Sequence, residues 1–115
     1  MKKVGAAPRT LLDTGALVRL PYPPYHVLVA RVEDDYVAIE DACNHAGASL
    51  ADGERQGTAE VLCPMHRFVF NLRTGELCRP QKLCDHQRTF VTKVEGEQRD
   101  VVAVYDPLSL TIRMA

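Results

Sequence analysis

Two short pairings of cysteine with histidine are the residues best equipped for chemistry. They are Cys43-Asn44-His45-Ala46-Gly47 and Cys63-Pro64-Met65-His66. Each supplies one thiolate and one imidazole from a tight turn, spaced C-x-H in the first and C-x-x-H in the second. Two such loops at the same end of a sheet bring four metal ligands together. Two thiolates with two imidazoles suit tetrahedral zinc. The same set also suits a two-iron cluster, with the thiolates on one iron and the imidazoles on the other. The residue types alone leave both centres open. Gly47 permits unusual backbone angles beside a ligand loop, and Pro64 stiffens the second loop while removing one N–H. Free backbone N–H groups in such loops can point at sulfur and tune a potential.

The remaining chemically capable residues have plainer readings. Cys78 and Cys84 read as free thiols, although Cys84-Asp85-His86 repeats the C-x-H spacing without a second pair to complete it. His26 lies in an apolar strand pattern and reads as a hydrogen-bonded structural histidine. The acidic run Glu33-Asp34-Asp35 reads as a solvated hairpin turn. Asp52, Glu54 and Glu60 lie between the ligand motifs and read as a solvated loop.

The elements that must hold the two loops are strands. Residues 25–32 (YHVLVARV) are rich in β-branched and aromatic residues. Asp34-Asp35 reads as a turn and residues 36–39 (YVAI) as the returning strand. A short strand over 59–62 leads into Cys63. Residues 67–72 (RFVFNL) and 75–77 frame a tight turn at Arg73-Thr74-Gly75. Strands are expected over 89–94 and 101–105, separated by the loop Glu95-Gly96-Glu97, and a last edge strand over 108–114. Pro21-Tyr22-Pro23-Pro24 reads as an extended or turning segment between strands. Many short strands and no long helix point to an all-β fold, an antiparallel β-sandwich or barrel.

Composition narrows the function. A chain of 115 residues fits one domain, spanning 1–115. Hydrophobic residues at 46% and charged residues at 25% are globular proportions. A net charge of -1 gives no electrostatic case for nucleic acid or for an anionic membrane surface. No apolar run approaches the roughly 20 residues of a membrane-spanning helix. The basic start Met1-Lys2-Lys3 is followed by no apolar segment of a signal peptide. Thiolates beside imidazoles are metal chemistry of a reducing compartment, so a cytoplasmic protein is expected.

The stretch C-N-H-A-G-A-S-L-A-D-G, then C-P-M-H-R-F-V-F-N-L-R-T-G-E, then Pro80, resembles the Rieske-type ferredoxins. It is also similar to the Rieske domains of nitrite reductase small subunits and of ring-hydroxylating oxygenases. The resemblance runs over roughly residues 25 to 105 and is strongest from 40 to 80. It implies one 2Fe-2S cluster, with Cys43 and Cys63 on one iron and His45 and His66 on the other. It implies an antiparallel β-sandwich carrying a small cluster-binding subdomain, with the histidines near the surface and Pro80 in a loop shielding the cluster. Replacing two thiolates by neutral imidazoles removes negative charge, which raises the potential above that of a four-cysteine cluster.

This chain departs from the family in informative places. Ala48 and Met65 stand where high-potential members carry a disulfide pair. Phe68 and Phe70 stand where those members place Ser and Tyr hydroxyls. With fewer donors to sulfur, the reduced cluster is stabilised less, so a potential near the low end of the range of about -150 to +300 mV is expected. Arg67, where Gly is frequent, reads as a solvated surface residue. The implied role is that of a one-electron carrier between a flavin-dependent reductase and a terminal oxygenase. The alternative is a small subunit that passes electrons to a nitrite reductase large subunit. A complete oxygenase would need a 2-His-1-carboxylate iron site, which His26 and His86 cannot supply.

Overall fold

The computed structural model describes residues 2–23, 25–41, 50–63, 69–75, 77–79 and 88–107. Among these, the chain forms β1 (Lys2–Pro8), a single-turn helix α1 (Arg9–Leu12), β2 (Val18–Tyr22), β3 (Tyr25–Val32) and β4 (Asp35–Glu40). A 3-10 turn at Leu50–Asp52 leads into β5 (Glu54–Gln56), β6 (Glu60–Leu62), β7 (Val69–Asn71) and β8 (Leu77–Arg79). Then come β9 (Thr89–Glu95) and β10 (Val101–Asp106).

All the strand pairings are antiparallel. One sheet has the order β1-β10-β9-β4-β3-β2, and a smaller one the order β5-β6-β7-β8. Within the larger sheet the β1-β10-β9 half packs over the β2-β3-β4 half. Ala7, Leu12, Phe90, Val102 and Val104 of the first half meet Val27, Val29 and Ala38 of the second. This is the expected sandwich. The smaller sheet packs against the opposite face of β3 and β4, where Leu28, Ala30, Val32 and Ile39 meet Val61, Cys63, Phe70 and Leu72.

That arrangement explains the sequence of β3. A strand between one core and water alternates apolar with polar residues. Here Val27 and Val29 point into one core, and Leu28, Ala30 and Val32 into the other. Both faces are covered, so the run is continuously apolar. The neighbouring strand β4 divides in the same way, with Ala38 and Tyr36 on one side and Ile39 and Val37 on the other.

Two arginines fasten the small sheet to the large one. Arg55 donates to the carbonyl oxygens of Gly15, Arg31 and Thr58. Burial lowers its pKa from the ordinary arginine value. Arg73 donates to Asp35 at 2.9 Å, Glu33 at 3.3 Å and the Val32 carbonyl at 3.1 Å. The bond to Asp35 is the main reason its pKa lies above the ordinary value. The acidic turn is therefore a fastening point as well as a solvated turn.

Several sequence expectations differ in detail. Pro21 and Tyr22 lie inside β2 rather than in a connection. Lys2–Pro8 and Glu54–Gln56 form strands that composition did not announce. Glu54 and Glu60 belong to paired strands rather than to a loop. His26, expected as a hydrogen-bonded structural histidine in an apolar strand, lies in β3 with its side chain exposed. The expected strand over 108–114 lies outside the described residues.

Candidate metal centre

Of the four expected ligands, Cys63 is described, and Cys43, His45 and His66 lie outside the described residues. Cys63 follows β6 directly. Its thiol is free of any disulfide and fully buried among Val61, Phe70, Leu72 and Leu28. Gly47, Ala48, Pro64, Met65, Arg67, Phe68, Pro80, Cys84 and His86, and the side chain of Cys78, also lie outside the described residues.

The described residues do fix where the ligand-bearing segments begin and end. Segment 42–49 carries Cys43 and His45, segment 64–68 carries His66, and segment 80–87 carries Pro80. Their roots are neighbours. Leu62 pairs with Val69, so the two roots of segment 64–68 lie side by side. Val69 pairs with Arg79, which puts the root of segment 80–87 beside that of segment 64–68. The Glu40 N–H donates to the Arg88 carbonyl at 2.8 Å, joining the end of 80–87 to the start of 42–49. The Ala51 N–H donates to the Asp41 carboxylate at 2.8 Å, joining both ends of 42–49. Glu54 pairs with Leu62, which returns the circuit to the base of Cys63. The roots of all three segments thus form one closed ring at one end of the fold.

Two residues in this ring were not singled out by sequence reasoning. Asp41 is only 3% exposed. A buried carboxylate needs donors, and this one takes the Ala51 N–H while its own N–H donates to the His26 carbonyl at 2.9 Å. An acidic residue two places before Cys43, an expected ligand, was the available signal. Gly53 is the second. A Cβ at this position would stand 2.1 Å from the Leu62 carbonyl oxygen. Only glycine lets the exit of segment 42–49 approach the strand that ends at Cys63.

The chemistry available at the ring follows from its donors. A buried thiol in an apolar wall becomes a good ligand once a metal takes its proton, because metal binding requires the thiolate. Phe70 is fully buried in the same wall and brings no hydroxyl to it. Among the described residues no group of three or more His, Cys, Asp or Glu side chains forms another metal site. An open cleft of about 570 Å³, lined by Arg9, Asp35, Tyr36, Lys93 and Arg99, lies toward the other end of β4 and β9, away from the ring.

Known proteins bear on this geometry directly. The family model of the Rieske [2Fe-2S] domain matches residues 5–83. The 3-phenylpropionate/cinnamic acid dioxygenase ferredoxin subunit of Escherichia coli (strain K12) is 33% identical over 97 residues, covering 84% of this chain and 89% of that subunit. The ferredoxin of carbazole 1,9a-dioxygenase from Nocardioides aromaticivorans IC177 superposes with a TM-score of 0.72 at 27% identity, over 91% of this chain and 98% of that one. Sphingomonas yanoikuyae B1 ferredoxin shares the fold, with a TM-score of 0.75 at 20% identity, over 92% of this chain and 100% of that one.

Proposed function

Since this chain belongs to the Rieske [2Fe-2S] domain family, we propose that it takes single electrons from a flavin-dependent reductase and delivers them to a terminal, ring-hydroxylating oxygenase. The observation that carries this reading is the 33% identity to a dioxygenase ferredoxin subunit over 89% of that subunit's length. It favours an oxygenase partner over a nitrite reductase large subunit. The chain is an electron carrier and holds one 2Fe-2S cluster, as its family does.

We assign Cys43 and Cys63 to one iron and His45 and His66 to the other. The donor set suits the cluster. Two thiolates and two imidazoles are the ligands of a Rieske centre, whose chemistry is a reversible one-electron change. Cys63 enters from the buried side of the ring, out of Val61 and Phe70. Its apolar surroundings among the described residues shield it from water and offer no hydroxyl to sulfur. They therefore disfavour the more negative, reduced state and hold the potential low. His45 and His66 each bring a ring nitrogen from a segment rooted in the same ring. Asp41, Gly53 and the β6–β7 pairing hold those roots together. A cytoplasmic setting suits free thiolate ligands. Among the described residues no helix is long and apolar enough to cross a membrane.

Reconstitution tests the proposal. The protein is mixed with NADH, a flavin-dependent ferredoxin reductase and a ring-hydroxylating oxygenase, and hydroxylated product is measured. Product formation that depends on this chain, and is lost with Cys63→Ala, is expected. Reduction of the chain without onward transfer to the oxygenase, together with transfer to a sirohaem nitrite reductase, would contradict it.

A further inference from the structure

Behind the ring of loop roots lies a buried ionic group that none of the chemistry above uses. Asp106, at the end of β10, is 3% exposed. Its Oδ1 accepts from an Arg88 guanidinium nitrogen at 2.6 Å, and its Oδ2 accepts from the Tyr22 hydroxyl at 2.5 Å. Phe90 is held between the same partners. The Arg88 guanidinium carbon stands 4.9 Å from the centre of the Phe90 ring, and Tyr22 meets that ring edge-on with centroids 6.0 Å apart. Three chain segments remote in sequence therefore converge on one carboxylate.

Arg88 connects this group to the metal centre. It is the first described residue after segment 80–87. Its carbonyl accepts from the Glu40 N–H at 2.8 Å, and its own N–H reaches the Glu40 carboxylate at 3.5 Å. Glu40 is the last residue of β4, and Asp41 alone separates it from segment 42–49. The position of Arg88 thus sets both the end of one loop and the start of the loop that carries Cys43 and His45. A backbone hydrogen bond alone leaves that junction free to slide with the strand ends. A side chain locked to a buried carboxylate, where charge-assisted bonds are short and directional, does not.

We propose that Asp106, with Tyr22, is a positioning device. Through Arg88 it fixes the junction of segments 42–49 and 80–87, and with it the placement of Cys43 and His45, the ligands proposed on segment 42–49. The inference rests on the Rieske reading of the site and adds residues that touch no ligand. Asp106→Asn keeps the shape and loses the charge. Arg88→Met keeps the apolar contact with Phe90 and loses the bond. Partners bonded directly to metal ligands typically change metal affinity by about tenfold to a hundredfold, so residues acting one step further out should fall at the low end of that range.

The test uses the holoprotein as purified. Iron per chain, the g-values of the dithionite-reduced cluster and the rate of iron loss to a chelator are measured for wild type, Asp106→Asn, Arg88→Met and Arg88→Lys. Val102→Ala serves as a control, since Val102 lies in the sandwich core and is no part of the bonds that join Asp106, Tyr22, Arg88 and Glu40. The expected result is two irons per chain in each variant that folds, shifted or broadened g-values, and iron loss about tenfold faster in Asp106→Asn and Arg88→Met. Arg88→Lys should recover part of both changes, and Val102→Ala should leave the g-values at their wild-type positions. If either charge variant fails to fold, Tyr22→Phe takes its place, with a smaller shift in the same direction. Unchanged g-values and chelation rates in the folded variants, or the same changes in Val102→Ala, overturn the proposal. Absence of a two-iron centre from the wild type defeats the Rieske reading itself.

Discussion

Gly53 and Leu62 touch backbone to backbone, and the contact leaves no room for a side chain. A Cβ on residue 53 would stand 2.1 Å from the Leu62 carbonyl oxygen, far inside van der Waals distance. The oxygen belongs to backbone and a Cβ is fixed to its own Cα, so neither can swing aside. Gly53→Ala should force β5 away from β6 at the base of Cys63. The expected destabilisation reaches or exceeds the upper end of the about 1–3 kcal/mol typical of overpacking. Thermal melting and iron content of the purified variant check this. A melting temperature and iron content equal to wild type would count against the close approach.

Cys63 is a core residue and, as proposed, also a ligand, and substitution separates the two roles. Cys63→Ala and Cys63→Ser should both abolish the cluster. In the absence of metal they should differ. Serine places a hydroxyl among Val61, Phe70 and Leu72. A buried hydroxyl without a partner costs about 1–3 kcal/mol. Urea denaturation of the two apoproteins should therefore rank Cys63→Ser as less stable than Cys63→Ala.

Phe70 sets the expected potential. It is fully buried in the wall that holds Cys63 and carries no hydroxyl. Redox titration of the wild type should give a value near -150 mV, the low end of the Rieske range of about -150 to +300 mV. Phe70→Tyr should raise it, because a hydroxyl donating to sulfur stabilises the reduced state. A wild-type potential well above zero would sink this account of the wall.

Arg55 reaches from the small sheet to the carbonyls of Gly15 and Arg31 in the large one. Arg55→Ala should leave the sandwich intact and loosen the cluster-bearing sheet. Hydrogen bonds from charged groups contribute about 1.5–3 kcal/mol each at most, so partial exposure places the expected loss at about 1–3 kcal/mol. Hydrogen exchange should show the β5 and β6 amides less protected while β9 and β10 keep their protection.

Glu95 and Tyr105 titrate against each other. The Tyr105 hydroxyl donates to the Glu95 carboxylate. That bond is the main cause of the lowered Glu95 pKa, with Lys3 adding to it and burial opposing it. The same bond raises the Tyr105 pKa. The Glu95 contribution to stability is present above the ordinary carboxylate range and is lost as pH falls through its lowered pKa. The Tyr105 contribution is present below its ordinary value of about 10 and is lost as pH rises through its raised one. Tyr105→Phe should move the Glu95 pKa back up, as carboxyl NMR shifts would report.

Much of this design is readable in the sequence, and the exceptions have physical causes. β3 and β10 are dense in valine and buried, so their residues declare them. The proposed ligand pairs, Cys43 with His45 and Cys63 with His66, stand out by residue type and spacing. β1 contains Gly5, Ala6 and Ala7, which favour no strand, and becomes one by pairing with β10. Pro21 reads as a chain breaker, yet β2 is an edge strand, where a missing N–H costs no ladder bond. β5 is Glu54-Arg55-Gln56, polar as an exposed edge requires. The partners of Glu33, Asp41 and Asp106 lie far along the chain or across a loop. No local pattern records such contacts. Gly53 was visible as a residue but not as a necessity, since the atom that demands glycine belongs to Leu62.

The most direct test of the central claim is EPR of the dithionite-reduced protein, with iron and zinc counted on the same sample. The account predicts two irons per chain and a rhombic signal whose average g lies below that of four-cysteine ferredoxins. A colourless, EPR-silent protein with one zinc per chain would contradict it.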